Sequence, residues 1–200
     1  MKVFVQPDAG QVAKLEEFVH LVLWGTIQLP NYAVRQSTFW YDPNQPELYD
    51  PNLDWVPQTA TRYSNSWNGT TANVTGRSYG YVYPAATYWS LYRVGRSFPN
   101  MLQKAPWQWY LCQSYQTVKY CFEEVNRTHL QPLWKEGLMG ETVIGELLKD
   151  LRLEGWIAQA TEVESLMEAR CDLWDEMAVP FGSEQPWDCT GQEGIFYWSK

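Results

Sequence analysis

Apolar side chains recur three and four residues apart in five separate stretches of this chain, a period that a helix buries on one face. In the first stretch Val12, Leu15, Phe18, Val19, Val22 and Leu23 form the stripe, with Lys14, Glu16 and Glu17 opposite. Asp8 can cap its start with Gln11 three residues on, close to a capping box, and Gly25 and Pro30 end it. Pro84 suits the first turn of a second helix, marked by Tyr88, Leu91, Tyr92 and Gly95 and ending near Ser97. A third opens at Pro106 and carries Trp107, Leu111, Tyr115, Val118, Phe122 and Val125. A fourth covers residues 140–153, with Val143, Ile144, Leu147, Leu148 and Leu151 inward and Gly155 as its stop signal. Thr161 and Glu164 make a capping box for the fifth, followed by Val163, Leu166, Met167, Arg170, Trp174 and Met177. Short links between neighbours predict antiparallel αα-hairpins, so the expected fold class is mainly α.

Between Pro30 and Pro84 the helical period stops. Pro43, Pro46, Pro51 and Pro57 punctuate a stretch rich in Asn, Asp and Tyr, and a polar run of residues 68–80 follows. A loop this long is unusual inside a compact domain and points to a site-forming segment. Residues 38–41 and 79–83 read as short strands within it.

The charge balance narrows the partners. The formal net charge is −8 with a pI near 4.8, so the chain repels phosphate backbones and nucleic acid is not an expected partner. It has no basic cluster for a membrane surface, and no apolar run long enough to span one. Hydrophobic residues reach 45%, enough for a core. A core alone rarely needs 12 Trp, because every buried indole N–H must find a partner; a large aromatic core is the rival use of most of the rings. A subset is expected to line a groove, where flat rings stack on the apolar faces of pyranose sugars.

The C-terminal block, residues 180–198, concentrates the chemistry. Glu184, Asp188 and Glu193 stand among Trp187, Tyr197 and Trp198. A carboxylate buried without a partner costs several kcal/mol, so this is no ordinary core segment. Carboxylates between indoles suit a site that grips a sugar. Glycoside hydrolysis needs two carboxyl groups, roughly 5 Å apart when retaining and about 6.5–9.5 Å when inverting. Asp188 beside Trp187 is the preferred acid or base, since an adjacent indole can desolvate a carboxyl and raise its pKa. Glu193 has a structural rival role, because Thr190 to Glu193 is itself a capping box. Glu184 reads as a rim residue. Glu141 sits at a helix start, where it complements the dipole, with a sugar contact second. Trp187, Trp198, Trp67 and Tyr79 are candidate stacking rings. Arg77 could bind a uronate or a sulfate, with a surface salt bridge as its simpler use.

Other chemistries lack their motifs. The two histidines, His20 and His129, fit no HExxH pattern, and P-loop, Cys-x-x-Cys and Gly-x-Ser-x-Gly sequences are missing. No cofactor is expected, though Ca²⁺ on loop carboxylates and carbonyls stays open. Sequons at Asn68, Asn73 and Asn126, together with four cysteines, suggest a secreted or extracellular protein. The first eight residues lack the apolar centre of a signal peptide. Cys112 and Cys121 lie on one expected helix, nine residues or about 13 Å apart, too far for a disulfide. Two pairings remain, Cys112–Cys171 with Cys121–Cys189 or Cys112–Cys189 with Cys121–Cys171, beside a fully reduced state.

The block from Pro180 to Glu193 resembles a segment of secreted proteins of the six-hairpin glycosidase-like class. More narrowly, it resembles a family of unknown function found in bacteria and fungi. Residues 8–28, 80–96 and 137–155 are similar too. The resemblance implies part of an (α/α) toroid over residues 1–200, read as a single domain that is a fragment of a larger one. It also implies a glycoside hydrolase-like activity on a poly- or oligosaccharide. The partner would be the carbohydrate substrate, together with the remainder of the toroid or a second chain. The alternatives are a non-catalytic glycan-binding domain and a purely structural fragment.

Overall fold

Asp8 caps the first long helix, as its position predicts. Its carboxylate accepts the Gln11 N–H at 2.9 Å. The computed structural model describes residues 2–38, 40, 69–128, 137–181 and 191–199. A short helix α1 (Lys2–Val5) precedes α2 (Ala9–Phe18), which runs on as a π-helix (Val19–Leu23). The π register is visible in the Trp24 N–H bonded to Val19 O at 2.9 Å, five residues back. That wider turn rotates the stripe beyond Phe18: Val19 and Leu23 stay buried, whereas Val22, expected inside, is exposed. Phe18, still in α2 and also expected inside, is exposed on its flank. Glu16, expected on the solvent side, is completely buried. Its carboxylate accepts the N–H groups of Gln103 and Lys104 and the Tyr110 hydroxyl, at 2.8, 3.1 and 2.6 Å.

After α3 (Gly69–Ala72) comes α4 (Tyr79–Ser97), then α5 (Trp107–Thr128). Residues 79–83 are therefore helical and not a strand. Ser78, Tyr81, Val82, Ala85, Tyr88, Trp89 and Tyr92 are all buried, and that is helical spacing carried straight through Pro84. The proline lies inside the helix and leaves the Gly80 carbonyl without its usual donor. Of the other expected strand, Thr38 and Trp40 are described and are not in strand, and Phe39 and Tyr41 lie outside the described residues.

The α4–α5 pair is an antiparallel hairpin. Tyr81 stacks on Tyr120, Ser114 bonds to the Ala85 carbonyl, Tyr88 meets Trp109 and Tyr92 meets Trp107, so one register falls as the other rises. Helix α6 (Thr142–Leu153) runs alongside α4. Asp150 accepts from Trp89 Nε1 at 2.8 Å and Arg93 at 3.0 Å. One turn later Glu154 accepts from the Tyr92 hydroxyl at 2.9 Å and Arg96 at 2.5 Å. Two carboxylates four residues apart thus meet two donor pairs at matching spacing.

Gly155, in the left-handed conformation at φ +76°, closes α6. The Trp156 N–H reaches Leu151 O at 2.8 Å and the Gly155 N–H reaches Arg152 O at 3.1 Å, a Schellman turn. The turn delivers the chain directly into α7 (Ile157–Glu176). Thr161 is therefore inside α7 and not its cap, and Glu164 pairs with Arg152 at 2.5 Å. Helix α8 (Gln192–Trp198) follows. Leu91 and Tyr92, Leu111 and Val118, Ile144 and Leu147, and Val163 and Met167 join α4 to α7 in one core.

Cys112 and Cys121 share α5 as expected. Cys112, Cys121 and Cys171 are all free thiols, which overturns both pairings, since each needs Cys171 joined to one of the other two. Cys121 is instead sealed in the core with its thiol against the Ser78 carbonyl, and burial pushes its pKa up to about 12. The Cys171 thiol faces the Trp198 carbonyl. Cys189 lies outside the described residues.

Candidate functional site

The N-terminus of α6 shows why the two described candidate carboxylates sit where they do. The opening N–H groups of a helix need acceptors from elsewhere. Glu141 holds the N-cap position but its side chain makes no cap. It turns inward, wholly buried, and its Oε1 lies 2.5 Å from Arg170 Nη2. Arg170 is 1% exposed and lies over the rings of Phe122 and Trp174, 4.6 and 4.7 Å from their centroids. Burial raises the Glu141 pKa, and the Arg170 guanidinium opposes that rise.

Glu193 supplies the cap that Glu141 withholds. Its Oε2 accepts the Gly140 N–H at 3.0 Å, and its Oε1 accepts the Thr142 hydroxyl at 2.9 Å and the Thr142 N–H at 3.4 Å. Glu193 therefore does not close its own helix as the capping box of residues 190–193 predicts; it caps across helices, from α8 onto α6. Gly194 permits the contact: a Cβ there would overlap Glu141 Oε2. Tyr79 is buried next to this junction and donates its hydroxyl to the Gly137 carbonyl at 3.5 Å. Trp198 packs on the core, edge-on to Tyr197, and its buried indole N–H has no acceptor among the described residues. Asp188, Glu184, Trp187, Trp67 and Asn68 lie outside the described residues. Asn73 is exposed and donates its amide to Gly69 O at 2.7 Å, and the Asn126 backbone lies in α5.

Arg77 belongs to a different place. It lines a groove of about 320 Å³ between the end of α2 and the first turns of α4. The floor is apolar, with Leu23, Ile27, Val34 and Pro84, and the walls carry Arg35, Gln36 and Thr87. Phe18, 42% exposed, and Tyr83, 60% exposed, also line it. The wall is held in place by its backbone. Tyr81 Oη accepts the Val34 N–H at 3.1 Å and donates to Thr75 O at 2.6 Å. The Arg35 N–H reaches Ile27 O at 2.9 Å, and the Gln36 N–H reaches Val74 O at 3.0 Å.

Of these residues sequence reasoning singled out only Arg77 as a contact. Tyr83 was hidden by the strand reading of residues 79–83, although its place on the outer face of an extended α4 would have exposed it. Phe18 was hidden by the apolar spacing, although on α2 it lies on the flank away from Val12 and Glu16. Nothing in the sequence marks Arg35 or Gln36. Among the described residues no group of three or more His, Cys, Asp and Glu could hold a metal, and no helix is long and apolar enough to cross a membrane.

The matches to known proteins agree with one part of the sequence reading. Across residues 1–200 the chain matches a family of unknown function, DUF5695, and it belongs to that family. No curated protein and no solved structure matches it.

Proposed function

We propose that this chain is a glycan-binding helical domain of a secreted carbohydrate-active protein, built as part of an (α/α) toroid. The observation that carries the reading is the groove beside α4, where the exposed Tyr83 ring adjoins an apolar floor with Gln36 and Thr87 on its walls. A sugar ring needs that combination: apolar surface for its C–H face and hydrogen-bonding groups for its hydroxyls. Titration calorimetry against a panel of oligosaccharides tests it. Binding that Tyr83→Ala removes supports the reading, and no binding by any member sinks it.

Hydrolysis is the second reading, and the acidic, indole-rich C-terminal block favours it. Glu193 and Glu141 have their carboxylates engaged at α6 and Arg170, so the acid and base would be Asp188 and Glu184. Turnover by the wild type that Asp188→Asn abolishes would establish this reading. Unchanged turnover in that variant would dismiss it.

A further inference from the structure

We infer that the groove selects a glycan bearing carboxylates, a uronic-acid-containing oligosaccharide, and that Arg35 reads its charge; the inference rests on the glycan reading above. The chain carries 23 acidic side chains against 15 Lys and Arg. Arginines are readily paired in such a molecule. Arg93, Arg96, Arg152 and Arg170 each meet a carboxylate, at 3.0, 2.5, 2.5 and 2.5 Å. Arg35 does not. It is half-buried in the groove wall, and among the described residues its guanidinium forms no ion pair.

A partly desolvated guanidinium without an anion is a standing invitation to one, and its planar fork matches a carboxylate with two parallel hydrogen bonds. The backbone bonds from Val34 to Gln36 fix where that fork starts. A uronic acid fits this layout chemically. Its ring offers a C–H face for Tyr83 and the apolar floor, while its carboxylate projects from the ring edge toward Arg35. A neutral sugar would leave Arg35 unanswered.

The test compares uronate-containing oligosaccharides with their own carboxyl-reduced counterparts, titrated into the 200-residue chain at low salt. The acidic form should bind about 10-fold tighter, the effect of one charge-assisted contact. Arg35→Gln should erase that preference, bringing the acidic and reduced forms to equal affinity, and Arg35→Lys should restore part of it. Equal binding of the acidic and reduced forms overturns the acid selectivity and leaves the glycan reading standing. A preference that survives Arg35→Gln overturns the assignment to Arg35. If neither form nor any neutral glycan binds, both readings fall together.

Discussion

Glu193 on α8 accepts both the side-chain hydroxyl and the backbone N–H of Thr142, and so caps a helix that begins about fifty residues earlier in the chain. The bond ties the C-terminal helix to α6. Glu193→Ala should therefore lower stability by about 1–2 kcal/mol, the worth of a good N-cap. Glu193→Gln, which keeps an acceptor, should cost less. Urea unfolding of the two variants measures the difference; equal losses would mean that the charge, not the acceptor, matters.

The buried pair Glu141–Arg170 should behave asymmetrically. Arg170→Leu leaves Glu141 buried and unpaired and should cost about 3–5 kcal/mol. The double variant Glu141→Leu, Arg170→Leu should recover much of that loss, because both desolvation penalties disappear. A double-mutant cycle in denaturant shows this, and additive losses would contradict it.

Gly194→Ala places a methyl group against Glu141 Oε2. Overpacking of this kind costs about 1–3 kcal/mol. The loss should be local, seen as faster amide exchange in α8 with α4 and α5 still protected. Unchanged exchange in α8 would count against the tight approach.

His20 stacks on Trp109, with Nε2 3.0 Å from the Tyr110 hydroxyl. Burial lowers its pKa below the usual 6.5, with Glu16 opposing and Lys104 assisting. The unfolded chain then binds more protons than the folded one in the window below 6.5, so stability rises with pH there. Thermal melts between pH 5 and 7 should show a slope that His20→Gln reduces. An identical slope in the variant would mean that other groups set it.

Local signals were legible and distant ones were not. The Asp8 cap, the Gly155 stop and the apolar stripes of α5 and α6 depend on neighbours within a few residues, and each was readable from the sequence. Glu16 was misplaced because the groups that take its charge, at Gln103, Lys104 and Tyr110, are nearly ninety residues away. The π-helix turned Val22 outward, while Phe18, the last residue of α2, already lay on the flank away from Val12 and Glu16. Thr161 looked like a cap because Thr and Glu stand three apart, yet the Schellman turn at Gly155 had already launched α7. Thr190 and Glu193 looked like a capping box for the helix they begin, yet Glu193 gives its carboxylate to the start of α6, a target found only in three dimensions.

The central claim is that the groove beside Tyr83 holds a sugar. The most direct measurement is an NMR titration of the isotope-labelled chain with the oligosaccharide panel, in the wild type and in Tyr83→Ala. Shifts should concentrate at Phe18, Arg35, Gln36, Tyr83 and Thr87 and vanish in the variant. Shifts confined to α8, or none at all, would contradict it.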